Sequence, residues 1–477
     1  MSLLSSSAKY SDACVSSSLR LSAPMLRRFA SNPEPLAIVA GSKYPRASIG
    51  DLSVPSTARV VQKGDLDQPA QLIDLENVSA WGAISDVSEV SSIGSNRLLF
   101  GDCDVLTSKL RPYLGKTIHN EFPEGIGTTE WVPIKVDPGR LKPRLLGYLL
   151  QSRHYVEMSR AFMAGKEHPR ITPEDILSLQ VPLPPLPEQD ALVGALDGLA
   201  KQCKKLEGKI GSELDLVDNY FEKRFGLSVS ALDAKMKLRG RGLGLARIAS
   251  NPDLRFSFKF HAPSVEFALN SLRALPHMRV AELLAEDIVL GASVSPEDYD
   301  ADSDKLYLSM ATIKSWTFEV ESANGVGEQY FAANSTKTVR KDDILMARSG
   351  EGTIGKVALV PEGVQGICAD FTMRMRFDPK LCLPAFARFY LMSKYFQHVV
   401  YGEKKGLGNN TNIFPIQLRE LPFLDVPLAD QEQAVKDLTK LQDARLAEKA
   451  GLSALRGKME EVLTLGLTGK PFSHLLV

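Results

Sequence analysis

The chain has 477 residues, 44% of them hydrophobic and 24% charged, with 57 Lys and Arg against 57 Asp and Glu and a formal net charge of zero at pH 7. That length exceeds one ordinary core and predicts about two to four domains, while no apolar run reaches the roughly 18–20 residues of a membrane span. Balanced charge excludes a chain that grips nucleic acid by bulk positive charge alone. A DNA reader of this composition must concentrate its cations locally or draw on a partner.

Residues 1–19 are Ser-rich and lack the basic start and apolar stretch of a secretory signal, so a flexible N-terminus is expected. Residues 20–185 read as mixed strands and turns, with a strand-like run at Trp131–Val136, a short helix over Leu145–Ala161 and a proline-rich stop at Val181–Pro187. A long helix follows over 186–226. A basic linker, 227–254, joins this half to the next, and the run Lys235, Lys237, Arg239, Arg241, Arg247 and Arg255 is either phosphate-binding or simply solvated. The same plan then recurs over 255–427. Its strand-like run Met373–Phe377 alternates at period two, a helix covers Pro384–Val400, and a stop lies at Pro422–Pro427. A second long helix, 428–468, and a tail, 469–477, close the chain.

The recurrence is a duplication. Arg20-Leu21-Ser22-Ala23-Pro24 matches Lys259-Phe260-His261-Ala262-Pro263, and Asp104–Lys109 matches Asp343–Arg348, both at an offset of 239. Gly115-Lys116 with Gly355-Lys356, and Glu130-Trp131 with Asp370-Phe371, lie at 240; Ser152 with Ser393 lies at 241. Ile171-Thr172-Pro173 with Ile413-Phe414-Pro415, and Gln189 with Gln431, lie at 242. Chance matches scatter, whereas these offsets creep in one direction by single insertions.

Both long helices carry apolar residues spaced 4-3-4-3, the heptad seam of a coiled coil. In the first copy these are Leu192, Leu196, Leu199, Cys203, Leu206, Ile210 and Val217; in the second they are Leu438, Leu441, Leu452, Leu455, Met459 and Val462. Each helix is read as ~38 residues, about 57 Å at 1.5 Å per residue. Glu213, Arg445 and Glu448 interrupt the seam, where polar residues cost stability but can fix register or face a partner.

Catalytic signatures are missing from the sequence. The five cysteines, Cys14, Cys103, Cys203, Cys368 and Cys382, form no C-x-x-C pair, which argues against a disulfide framework or zinc site and for a reducing cytoplasm. The seven histidines show no H-E-x-x-H pattern, and no metal site is expected. Gly350–Val357 fits G-x-x-x-x-G-K but ends in Val where a P-loop needs Ser or Thr, and a strand-like run follows where a helix should stand. A P-loop enzyme is the alternative reading in a different class.

The repeated segments resemble those of Type I restriction-modification specificity subunits. Asp104-Val105-Leu106-Thr107-Ser108-Lys109-Leu110-Arg111-Pro112-Tyr113-Leu114-Gly115-Lys116 is similar to that family's D-I-L-x-S-K-L-R-P-x-x-G-K segment, and Gly127–Trp131 to its G-x-x-S-T-E-F. Asp343–Gly350 resembles the form D-I-L-x-A-R-S-G, and Pro182–Gln189 the helix-start signature P-L-P-P-L-x-E-Q, which Val426–Gln433 keeps more loosely. The resemblance implies an α+β fold of two tandem target recognition domains. Each is followed by a long helix, and the two helices pair as an antiparallel coiled coil. It also implies a non-catalytic, cytoplasmic subunit that reads a bipartite asymmetric site on double-stranded DNA. Two methyltransferase subunits and motor-nuclease subunits would be its partners. No cofactor is expected on this chain; S-adenosylmethionine, ATP and magnesium are expected on those partners. A degenerate structural adaptor of a related defence system is a further alternative.

Base edges are read by donors and acceptors, usually Arg to guanine and Asn or Gln to adenine. The candidates in the first copy are Ser108, Lys109, Arg111, Lys116, Lys166, His168 and Arg170. Those in the second are Arg348, Ser349, Lys356, Lys404, Lys405, Asn409, Asn410 and Asn412. The loops before Ile171 and Ile413 are equivalent by offset yet unlike in sequence, as expected of two heads that read different half-sites.

Overall fold

The computed structural model describes residues 38, 41–85, 87–165, 168–238, 255, 257–350, 352–406 and 411–476. The expected N-terminal segment 1–19, the match at Arg20–Pro24, and Arg239, Arg241 and Arg247 of the linker lie outside the described residues. The fold is α+β. The chain divides into two compact units, the first formed by residues 1–210 with 448–477 and the second by 211–447.

The first unit is built on a three-stranded antiparallel sheet of β1 (Val105–Ser108), β2 (Thr117–His119) and β3 (Trp131–Ile134), with β1 central. A five-stranded sheet made from Arg59–Val61, Arg97–Leu99, Ile126–Thr128, Gly64–Leu72 and Ser88–Ile93 extends it. The second unit repeats the central sheet with β4 (Ile344–Ala347), β5 (Val357–Leu359) and β6 (Thr372–Met375), β4 being central. Pairing is the same in both: Val105 faces His119 and Ile134, and Ile344 faces Leu359 and Met375. All residues of β1, β4 and β6 are buried, so these strands form cores with cover on both faces.

Strand register corrects one match of the repeat. Ser108 pairs with Trp131 and Ala347 with Thr372, so Trp131 corresponds to Thr372 and the one-residue insertion falls in the turn before it. The burial agrees: Trp131 is 2% exposed and its Nε1 donates to the Ile73 carbonyl, whereas Phe371 is 50% exposed. The period-two alternation of Met373–Phe377 also does not place its basic residues in water. Arg374 and Arg376 are held by Asp343 and Glu286, with Arg376 Nε 2.7 Å from Asp343 Oδ1. A buried Asp343 without those guanidiniums would be strongly unfavourable.

The helix expected at Leu145–Ala161 is two helices, Pro143–Gln151 and Arg153–Phe162, and its repeat is Pro384–Met392 and Lys394–Glu403. Each break sits at the paired serine. Ser152 caps the Tyr155 amide and Ser393 the Phe396 amide, so the serine side chain starts a new helix. The long helices begin alike. Gln189 Oε1 accepts from the Lys142 amide and its Nε2 donates to the Arg140 and Pro184 carbonyls; Gln431 does the same with Leu383, Leu381 and Val426. Both glutamines are almost fully buried, which explains the Gln of the helix-start signature: one side chain satisfies three backbone groups where the head meets its helix.

The heptad pattern alone predicts a continuous first long helix over 186–226, but the helix is interrupted. It runs Leu186–Glu207, stops, and restarts as Glu213–Phe225. Gly208 and Gly211 lie in the break, and Ser212 with Asp215 forms a capping box that begins the second piece. The last helix, Leu428–Thr468, is unbroken over 41 residues. Within the first unit Leu192, Leu196, Leu199 and Cys203 pack with Met459, Val462, Leu463 and Leu467, while Leu452 and Leu455 are half-buried beside them. Glu207 pairs with Arg456, Cys203 Sγ lies 3.9 Å from Met459 Sδ, and Leu192 abuts Gly466, an antiparallel order. Within the second unit Val217 and Phe221 pack with Ala434 and Leu438, and Tyr220 and Arg224 reach Asp437 and Asp430. Leu206 is half-buried. Two seam residues are corrected: Ile210 lies in the break, and Leu441 is 41% exposed. Two of the three polar interruptions are satisfied locally, Glu213 by Arg388 and Gln442, and Arg445 by the Gly211 carbonyl.

Candidate nucleic-acid interface

In each unit three segments meet at the end of the central sheet: the residues after the first strand, the turn before the third strand, and the loop before the Pro-started helix. In the first unit the Lys109 amide donates to the Glu130 carbonyl, the Ile171 amide to the Lys109 carbonyl and the Arg111 amide to the Pro169 carbonyl, at 3.0, 3.0 and 2.8 Å. In the second the Arg348 amide donates to the Phe371 carbonyl and the Ile413 amide to the Arg348 carbonyl, at 3.0 and 2.9 Å. The loop is pinched shut in both, by Ala164 with Arg170 and by Lys405 with Asn412. Gly165 and Gly406 open these loops with φ of 99° and 111°, which glycine adopts without strain. Backbone bonding thus brings together the two polar loops that the offsets singled out.

The side chains at these joints divide. Ser108 is buried and its Oγ bonds Leu110, so it shapes the turn. Lys116 Nζ donates to the Leu75 carbonyl at 2.5 Å. Arg111 is exposed with a left-handed φ of 48°, and its Nη2 lies 3.4 Å from His168 Nδ1. Lys109 is half-buried and His168 exposed. Arg170 is bound by Glu130 through Nε and Nη2. In the second unit Ser349 is buried, Lys356 half-buried and Lys405 exposed. Lys404 is also buried, lying over the Tyr401 ring at 4.2 Å. Arg348 is bound by Asp370, lies over the Phe371 ring at 5.7 Å, and meets Asn412 Oδ1 at 3.5 Å. Lys166, Asn409 and Asn410 lie outside the described residues. In the linker run, Arg255 is tied into the second unit by Glu403 and the Lys404 carbonyl.

Glu130, Asp370 and Phe371 stand at the joints and are absent from the sequence candidates. Their signal was the acid of the G-x-x-S-T-E-F segment. The glycine-lysine loop leads into a strand: Gly350, Gly352 and Gly355 have φ of 86°, 81° and 87°, and the chain then enters strand β5. A P-loop requires a helix N-terminus at that point. Among the described residues no cluster of three metal-ligating side chains occurs and no helix is long and apolar enough to cross a membrane.

Fold and site define a duplicated α+β chain in which one scaffold presents two different polar joints. No protein-family model and no curated protein matches the chain. Solved structures do. Over 90% of its length it is similar to 98% of a chain from a study of complex assembly and conformational transition of the type I R-M system, at 15% identity and a TM-score of 0.45. It is similar to the HsdS subunit from Thermoanaerobacter tengcongensis over 90% of this chain and 97% of that one, at 16% identity and a TM-score of 0.33. The Type-I restriction-modification system S subunit from M. genitalium is matched over 89% and 96%, at 15% identity and a TM-score of 0.44. At such identities and scores the likeness assigns no activity, which has to come from the chain's own residues.

Proposed function

We propose that this chain is the DNA-specificity subunit of a Type I restriction-modification system. Each unit reads one half of a bipartite asymmetric DNA site, and the helices receive two methyltransferase subunits, with motor-nuclease subunits joining for cleavage. S-adenosylmethionine, ATP and magnesium act on those partners. The observation that carries the reading is the pairing of one scaffold with two unlike joints. Strand register, the Gln189 and Gln431 helix starts and the Ser152 and Ser393 caps are repeated, while Lys109 and Arg170 in one joint stand where Arg348 and Asn412 stand in the other. Repeating the frame and changing the contact residues is what reading two different half-sites requires. Linked heads also gain effective concentration, so neither needs the dense positive charge that the composition lacks.

The test is co-expression with a methyltransferase partner followed by methylome sequencing. Methylation confined to one bipartite asymmetric sequence is expected. Methylation of no defined sequence would favour the degenerate adaptor.

A further inference from the structure

We infer that Glu130 and Asp370 are positioning residues for base reading: each grips one guanidinium by its inner edge and turns the outer edge toward a guanine. This rests on the DNA-specificity reading above. Arg170 Nε lies 3.2 Å from both Glu130 oxygens and its Nη2 lies 2.9 Å from Oε1, so one edge of the fork is fully used. The outer edge makes one long contact, Nη1 to the His168 carbonyl at 3.4 Å. Glu130 is the more sheltered partner, its side chain 20% exposed against 50% for Arg170. The acid is seated on the scaffold and the outer guanidinium edge faces solvent.

The second joint reaches a related arrangement from different backbone positions, with the exposure reversed: the Arg348 side chain is 14% exposed against 37% for Asp370, and its Nη1 makes one long contact, to Asn412 Oδ1 at 3.5 Å. Arg348 comes from the first loop instead of the second. Its Nε donates to the Asp370 carbonyl at 2.7 Å and its Nη2 to Asp370 Oδ1 at 3.1 Å, again the inner edge. By strand register Asp370 corresponds to Thr129 and Glu130 to Phe371, so the acid and the arginine have both moved. A carboxylate-gripped guanidinium at the same joint, assembled twice from non-equivalent residues, points to a retained task for that group. A guanidinium held along Nε and Nη2 keeps two parallel N–H bonds on its other edge. These match the N7 and O6 acceptors that guanine alone presents in the major groove. Holding the fork in advance removes rotamer freedom that binding would otherwise have to remove.

The inference separates cleanly from a structural role, because an exposed ion pair contributes little to stability. The assay is methylation of a plasmid library, randomised across the site, by the chain with its methyltransferase partner. Glu130→Gln is expected to lower the preference for guanine at one position of one half-site by about tenfold or more. Every other position and the unfolding midpoint stay unchanged, Glu130→Asp recovers part of the preference, and Arg170→Ala affects the same position. Asp370→Asn is expected to act on one position of the other half-site, more weakly, since the Asp370 carbonyl still holds Arg348. An unchanged base preference in Glu130→Gln and Arg170→Ala overturns the inference. So does a loss spread over all positions with a lowered midpoint. Failure of the wild-type complex to methylate any defined site would instead overturn the specificity reading itself.

Discussion

His119 lies on β2, edge-on to Tyr148 with ring centroids 5.5 Å apart, and its Nε2 is buried without a hydrogen-bond partner. Burial, helped by the Arg144 guanidinium, lowers its pKa from 6.5 to about 4. The neutral ring is therefore the folded form. A folded-state pKa below the unfolded value gives stability that is full above pH 6.5 and is lost as pH falls toward 4. Between pH 6.5 and 5 that is 1.5 units at 1.36 kcal/mol each, or about 2 kcal/mol. The repeat supplies the control, since the register puts Leu359 at the corresponding position. His119→Leu removes both the titration and the orphaned nitrogen. Relative to the parent it is expected to gain about 1 kcal/mol at pH 7 and about 3 kcal/mol at pH 5. Of the three tryptophans, Trp81 and Trp131 lie in the first unit and Trp316 in the second. Urea unfolding in a Trp316→Phe background, followed by fluorescence at both pH values, reads the first unit. A parent whose midpoint is the same at pH 5 and 7, or a variant that tracks it in parallel, refutes the reasoning.

Asp218 has the opposite sign. Its half-buried carboxylate accepts from the Lys394 amide, and burial raises its pKa to about 6, so its cost is absent at low pH and appears as pH rises from about 4 to 6. Asp218→Asn is expected to stabilise by about 1–2 kcal/mol at pH 7 and not at pH 4 in urea melts, after allowance for solvent screening. Gln189→Leu strands the Lys142 amide and two carbonyls, so a loss of about 2–4 kcal/mol is expected in the same melts; an effect under half a kcal/mol contradicts the role given to that glutamine. Asp343→Asn removes the charge facing buried Arg374 and half-buried Arg376 and should cost about 3–5 kcal/mol in the second unit, read from Trp316 fluorescence. Inserting four residues after Leu199 is expected to lengthen the unread spacer of the methylated site, and an unchanged spacer counts against the helices as a ruler.

Much of the frame is legible before folding. The offsets place one strand of each central sheet, a helical segment after it in each copy and both glutamine-started helices, because each depends on local chemistry: a proline at a helix start, an alternating or buried strand; that each helical segment is two helices, split at Ser152 and Ser393, was not read. What the sequence hides is set by proximity. The break after Glu207 coincides with Gly208, Gly211 and the Ser212–Asp215 cap, yet the heptad spacing runs across it. The alternation of Met373–Phe377 does not show that Arg374 and Arg376 meet Glu286 and Asp343. Trp131 and Phe371 align by type although one is core and the other surface, since register and not similarity fixes the insertion. The candidate loops were legible as polar segments of unlike sequence. Which of their cations are tied down was not, because Glu130 lies 40 residues from Arg170 and Asp370 lies 22 from Arg348.

The most direct test of the two-head reading is an exchange. Residues 20–180 are replaced by the corresponding domain of another chain that carries the same motifs, and the methylated sequence is determined by methylome sequencing with the methyltransferase partner present. One half of the site is expected to change and the other to stay as it was. A change in both halves, or in neither, contradicts the two-head reading.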